Sequence, residues 1–314
     1  MQKIFIDGEA GTTGLQIAER LLTRADIELV QIDPASRKDI GARTEALNSA
    51  DIAILCLPDD AAREAVALVT NATTRIIDAS SAHRVAPGWD YGFPELNGAQ
   101  RGKLRAANRI SNPGCYAIAA VSILHPLIAA GALPSDWPVS VNGLSGYSGG
   151  GKALIAAFED PAAEQATNRA NYDYALTLQH KHIPEMTRWS SLQHAPVFLP
   201  TVGRYYKGML VHVPLALWAL PGDHSAVSIH DIFTSHYRDE PYVQVSPMED
   251  SAHTGELDPE SLNDTNELRL HVLRNDQEGQ VVVVAQLDNL GKGASGQAVQ
   301  TLNLLLGVEE STGL

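Results

Sequence analysis

Asn112-Pro113-Gly114-Cys115-Tyr116 runs directly into an apolar helical stretch, Ala117 to Ala130. Proline and glycine confine the turn, which places the cysteine in the first helical turn. Unpaired amides and the helix dipole there stabilise a thiolate, the reactive form of the side chain. Cys115 is therefore the expected nucleophile, attacking an activated acyl group to give a thioester. Cys56, the other of two cysteines, lies within an almost wholly apolar strand and reads as an inert core residue. An acid–base partner is needed, and eleven histidines compete for that role. His180-Lys181-His182-Ile183-Pro184-Glu185 gathers two imidazoles and a carboxylate just before a helix. Imidazole titrates near neutrality, so it can take and return a proton. His-x-His with a nearby Glu can also ligate zinc, but a third strong ligand motif is missing and a metal would compete for the thiolate. No metal is expected.

A second chemical feature sits at the start of the chain. Gly8, Gly11 and Gly14 follow a strand, Lys3 to Asp7, and open a helix running through Arg24. Glycine there lets the backbone approach a pyrophosphate, which the helix N-terminal amides then hold. The spacing is G-x-x-G-x-x-G, and position in a first βαβ unit gives it weight. Past the second strand, Asp33 can bond ribose hydroxyls, as NAD requires. Ser36-Arg37-Lys38 can instead clasp a 2′-phosphate, and this favours NADP.

The elements that must position these residues follow two rhythms. Strands at Ile27 to Ile32, Asp51 to Leu57 and Arg75 to Asp78 alternate with helical patterns, as in a doubly wound parallel sheet. Later strand candidates are Val139 to Asn142, Val197 to Val202, Gly208 to Leu217, Glu267 to Leu273 and Gln280 to Leu287. Few crossover helices separate them, so a mixed or largely antiparallel sheet is expected. About 250 to 265 reads as an exposed connection, and Ser295 to Leu306 as a helix returning to the first sheet. The fold class is α/β: a Rossmann-like doubly wound dinucleotide-binding domain plus an α+β catalytic and oligomerisation domain.

At 314 residues the chain is long enough for two domains, and its 44% hydrophobic and 19% charged residues are ordinary for a globular protein. A net charge of -14 argues against a nucleic-acid partner. No segment approaches the roughly 20 apolar residues of a membrane span. The N-terminus enters a strand-like run without a signal-peptide pattern, so a cytoplasmic protein with reduced thiols is expected. Gly146 to Lys152 matches the start of a P-loop, but Ala153 replaces the magnesium-binding hydroxyl. An anion-cradling or flexible loop is the better reading.

Taken in order along the chain, these pieces resemble the N-acetyl-gamma-glutamyl-phosphate reductases of arginine biosynthesis, in their short form (type 2). The pieces are the glycine loop, Asp78 to Arg84 (DASSAHR), Tyr91 to Glu95 (YGFPE), Asn112 to Tyr116, Ser145 to Lys152, His180 to Glu185, and Asn289 to Ala298 (NLGKGASGQA). The resemblance implies reduction of N-acetyl-L-glutamyl 5-phosphate to the 5-semialdehyde with NADPH, through a thioester on Cys115. It implies an NADP-binding domain over 1–114 with 290–314, a catalytic and oligomerising domain over 115–289, and a homodimer or homotetramer. With it, His182 becomes the acid–base group, with His180 and Asn112 in support. Cofactor contacts are expected from Gly8, Gly11, Thr12, Thr13, Gly14, Ser36, Arg37, Pro58, Ser80 and Asn289. Substrate contacts are expected from Arg84, Asn112, Ser145, Glu185, Arg204 and Lys207. Longer relatives tend to carry Arg where Lys207 precedes Gly208-Met209, so the carboxylate anchor is either Lys207 or the upstream Arg204. Rival readings are a reductase of aspartyl phosphate or of a carrier-linked aminoadipyl phosphate, and a Cys–His amidohydrolase. The last leaves the glycine loop without a purpose.

Overall fold

The computed structural model describes residues 1–248 and 255–314. The polypeptide divides into two compact units, one comprising 1–94, 98–114 and 294–314, the other 95–97 and 115–293.

The first unit holds a six-stranded sheet in the order β2-β1-β3-β4-β6-β5. Its strands are β1 (Gln2–Asp7), β2 (Ile27–Val30), β3 (Ile52–Leu55), β4 (Arg75–Asp78), β5 (Asp90–Tyr91) and β6 (Arg109–Ser111). Every pairing is parallel, so all strands end at one edge. Such strands are covered on both faces, and alternation along β1 shows how. Ile4 and Ile6 pack under α1 (Thr12–Leu21) with Ile17 and Leu21, while Phe5 faces the opposite cluster with Leu47 of α2 (Ile40–Ser49) and Ala65 of α3 (Asp59–Leu68). The C-terminal helix, Gly296–Leu306, returns to the α1 side and buries Ala298, Val299 and Leu302 against the same isoleucines. Each of the valine, leucine and isoleucine side chains contributes about 1.5–3 kcal/mol when fully buried. A further helix, α4 (Gln100–Ala106), precedes β6. β2 ends at Val30 rather than Ile32, because Asp33 caps a short 3-10 turn over Pro34–Ser36.

The second unit is built on a seven-stranded mixed sheet, ordered β11-β12-β13-β10-β7-β9-β8. It comprises β7 (Ser140–Gly146), β8 (Asn171–Asp173), β9 (Val197–Gly203), β10 (Met209–Ala216), β11 (Val243–Val245), β12 (Leu268–Asn275) and β13 (Gln280–Leu287). The β7–β9 and β11–β12 pairs are parallel and the rest antiparallel. The helices are α5 (Cys115–Ala129), α6 (Gly151–Glu159), α7 (Ile183–Trp189) and α8 (Ala226–His236), and the C-terminal helix of the first unit becomes α9. α5 packs on β10 and β13 and against α7 and α8. Pro126 lies inside α5 and has no N–H for the carbonyl of Ser122. The Tyr237 hydroxyl donates to that carbonyl instead, at 2.8 Å. Of the expected connection at about 250 to 265, residues 250–254 lie outside the described residues; the remainder forms turns that bury Leu262. Among the described residues no helix is long and apolar enough to cross a membrane.

Four imidazoles of this unit, His125, His212, His236 and His271, are held below the ordinary histidine value by burial; His125 is lowered further by His236. The unfolded chain then binds more protons than the folded one once pH drops below about 6.5, the unperturbed histidine value. Their stabilisation is whole above that pH and is lost as pH falls through the folded values. Thermal midpoints should decline more steeply just below that pH than above it; a flat profile there would refute this.

Candidate active site

In the first unit the expected cofactor residues gather at the carboxyl edge of the sheet. The order β2-β1-β3 makes the β1/β3 boundary the place where the winding reverses, where α/β sheets receive ligands. Gly8 lies there at φ 88°, and a Cβ on it would come within 2.3 Å of the Cys56 carbonyl oxygen. A Cβ on Gly14 would come within 2.4 Å of the Gly8 oxygen, so the loop closes only with glycine at both. Gly11 caps α1 without a side-chain hydrogen bond, leaving the amides of Thr12, Thr13 and Gly14 in the opening turn. This cradle fits a pyrophosphate. Ser36 and exposed Arg37 follow β2, and among the described residues neither Arg37 nor Lys38 forms an ion pair. Pro58 opens α3 after β3.

Past β4, Asp78 is fully buried and accepts from the Ser80 amide at 2.9 Å, the Ser80 hydroxyl at 2.7 Å and His83 Nδ1 at 2.6 Å. Ser80 thus braces this turn. Arg84 is buried and donates through Nε to the Asn112 carbonyl at 3.1 Å and through a terminal nitrogen to that of Ala79 at 3.1 Å. Asn112 gives its backbone N–H to Asp78 at 2.7 Å and its side-chain N–H to Ala294 at 3.0 Å. Its buried Oδ1 accepts from no group among the described residues. Arg84 and Asn112 are brought together, and Asn112 lies on the segment that leads to the cysteine.

In the second unit α5 begins at Cys115 itself. The adjoining Tyr116 is the hub. Its ring centre lies 5.9 Å from that of His180 and 6.0 Å from that of His182, and its hydroxyl donates to the Thr201 carbonyl at 3.3 Å. Gly143 makes room for this ring, since a Cβ there would come within 2.5 Å of it. Burial holds the Tyr116 hydroxyl well above its ordinary range, with Tyr174 and the Cys115 charge adding. Burial raises Tyr174 too, and the Cys115 charge adds. Both phenols therefore stay protonated donors beside the thiol. Ser145 is buried on β7, where its hydroxyl donates to the Gly146 carbonyl at 3.2 Å. Tyr116 lies in a motif read for its cysteine, and Tyr174 lies in an irregular stretch that carries no signal.

The two histidines are distinguishable. His180 Nδ1 accepts the His182 backbone N–H at 3.1 Å, so its proton sits on Nε2 and its other nitrogen is engaged. His182, 5% exposed, is the N-cap residue just before α7, and Glu185 is buried in that helix's first turn. Among the described residues no three His, Cys, Asp or Glu side chains converge as a metal would need.

The remaining expected residues are engaged elsewhere. Arg204 donates to the carbonyls of Arg169 and Phe158, at 3.1 and 3.3 Å, and to that of Thr167. It clamps a loop. Lys207 contacts Asp264 and lies 3.4 Å from Asp288. Burial alone would lower its ammonium, but these carboxylates outweigh burial and hold it above its usual range. Asn289 accepts the Gly208 N–H at 2.7 Å and donates to Ser148 at 3.1 Å, a brace inside this unit. The first three amides of the P-loop-like segment do not face an anion. Its Gly146, Tyr147 and Ser148 amides are spent on the carbonyls of Gly208, Tyr205 and Tyr206.

Residues 115–289 match the semialdehyde dehydrogenase dimerisation domain, and residues 33–104 the semialdehyde dehydrogenase NAD binding domain. The N-acetyl-gamma-glutamyl-phosphate reductase 2 of Pseudomonas putida is 49% identical over 310 residues, 99% of this chain and 98% of that protein. That of Nostoc is 50% identical over 318 residues, covering 99% of each. In fold, the chain is similar to aspartate semialdehyde dehydrogenase II of Vibrio cholerae, with TM-score 0.70, 15% identity and 98% of each chain covered. The Francisella tularensis aspartate semialdehyde dehydrogenase gives 0.72 at 12% identity, over 98% of this chain and 100% of that one. With relatives this similar over nearly their whole length, the chain belongs to the N-acetyl-gamma-glutamyl-phosphate reductases, within the semialdehyde dehydrogenase family.

Proposed function

We propose that this protein catalyses the NADPH-dependent reductive dephosphorylation of N-acetyl-L-glutamyl 5-phosphate to N-acetyl-L-glutamate 5-semialdehyde and phosphate, a step of arginine biosynthesis. The observation that carries the chemistry is Cys115 as the opening residue of α5, with Tyr116 packed against His180 and His182. The close relatives carry the substrate assignment.

The Cys115 thiolate attacks the γ-acyl carbon. A C–S bond forms, the C–O bond to phosphate breaks, and phosphate leaves with the electron pair. When bound, the nicotinamide supplies the hydride that takes the thioester to the thiohemiacetal level. His182 protonates the developing oxyanion, then removes that proton as the C–S bond breaks, releasing aldehyde and restoring the thiolate. Arg84 and Asn112 are proposed to meet the phosphoryl group, and Ser145 and Glu185 to line the substrate. The Gly8–Gly14 loop would hold the pyrophosphate, with Pro58 and Ser80 beside the cofactor. The protein is proposed to act in the cytoplasm as a homodimer or homotetramer.

The direct test runs the reaction backwards. Protein mixed with NADP, phosphate and N-acetylglutamate semialdehyde should generate NADPH absorbance only when phosphate is present. Aspartate semialdehyde serves as the comparison, and its preferential use would overturn the substrate assignment. The proposed 2′-phosphate contact is checked separately. Arg37→Ala removes one charge-assisted hydrogen bond and should cut the preference for NADPH over NADH by about 10- to 100-fold. An unchanged preference would remove Arg37 from that role.

A further inference from the structure

Outside the groups assigned to catalysis, the second unit buries a complete ion pair. Lys292 Nζ lies 2.8 Å from Glu95 Oε1, and both side chains are 0% exposed. The ammonium also lies 5.5 Å from the centre of the Tyr242 ring. Attraction offsets the desolvation of two such charges only in a fixed geometry, so the pair holds the chain segments that carry it in one arrangement. One of those segments is the π-type turn Gly291–Ser295.

The turn has no slack around Lys292. A Cβ on Gly291 would come within 2.3 Å of the Thr265 carbonyl oxygen. A Cβ on Gly293 would come within 2.8 Å of Cys115 Cβ and 3.4 Å of Cys115 Cα, and the Gly293 amide donates to Asp288 at 3.0 Å. The backbone following Lys292 is therefore the wall behind the cysteine side chain. Glu95 arrives from the Tyr91–Glu95 stretch, and residues 95–97 belong to this unit although their neighbours in sequence do not. We infer that the Lys292–Glu95 pair is a positioning device for the nucleophile: it pins the turn that presses Gly293 against Cys115 and so sets where the thiol stands at the start of α5.

The inference rests on Cys115 being the nucleophile. Displacing a reacting group by about 1 Å can cost about 10²-fold in rate, and loss of positioning alone appears in kcat rather than KM. Two variants are compared with wild type for kcat, KM, thermal midpoint and the pH profile of Cys115 alkylation by iodoacetamide. Lys292→Met leaves Glu95 buried without this partner. The double variant Lys292→Met/Glu95→Leu removes both charges and recovers stability. Both should lose about 10²-fold in kcat with KM nearly unchanged, and in both the alkylation profile should be slowed and displaced. A double variant with wild-type kcat and alkylation profile, whatever its thermal midpoint, would overturn the inference. The double variant alone decides the matter if the single one does not fold. Wild-type Cys115 that resists alkylation, or turnover by a Cys115→Ser protein, would instead overturn the nucleophile reading.

Discussion

Cys115→Ser is expected to lower turnover by about 10⁴- to 10⁶-fold while leaving the fold intact. The substitution exchanges sulfur for oxygen in a side chain already packed behind by Gly293, so no new clash arises. A serine hydroxyl is scarcely ionised near neutrality even at a helix start, and an ester would release its alcohol more slowly than a thioester releases a thiolate. The assay is phosphate-dependent NADPH formation, with the thermal midpoint as the control for folding. Thiol labelling gives an independent reading. Cys56 is pushed up to about 12 by burial, with Asp78 and Asp7 adding, and stays inert near neutrality. Wild type should show one fast thiol and the variant none. Residual activity within tenfold of wild type would sink the thioester.

His182→Asn should cost about 10²- to 10⁴-fold in kcat, the usual worth of a positioned proton carrier. His180→Asn should cost less. The difference follows from a single hydrogen bond. His180 accepts the His182 N–H through Nδ1 and would have to release it to bind a second proton. That bond and its packing hold the His180 ring in place, 4.7 Å from His182 between ring centres and 5.1 Å from Phe198. Asparagine at 182 keeps a polar group at the opening of α7 and removes the titrating one. The pH profile of kcat should lose the limb assigned to His182. Equal losses from the two variants, or a larger one from His180→Asn, would reverse the assignment.

The nucleotide-binding half was legible because its signals are local. Each strand lies next to its own turn, and the glycines needed around Gly8 and Gly14 are visible as residue types. β5 and β6 escaped notice, since two- and three-residue strands carry no periodicity. In the second unit the long strands were readable, but their order was not: β10 lies between β7 and β13, a pairing set by long-range burial. The cysteine and the histidine segment were readable as chemistry. Their hub, Tyr116, was not, because a tyrosine beside a cysteine has no meaning until Gly143 is seen to make room for it. The basic residues were the hardest. Sequence counts Arg204 and Lys207 as available charges, whereas their engagement with carbonyls and with Asp264 and Asp288 exists only in the folded chain.

α9 carries a consequence for how the molecule is made. The core of the first unit needs Ala298, Val299 and Leu302 against Ile4, Ile6 and Ile17, so opposite ends of the chain close one cluster. During synthesis Ile4, Ile6 and Ile17 emerge long before Ala298, Val299 and Leu302, and until these follow that apolar surface stays uncovered. Residues 115–293 of the other unit are already outside the ribosome by then. A chain released early, short of α9, would carry an uncovered isoleucine surface, the kind of defect that chaperones and proteases recognise.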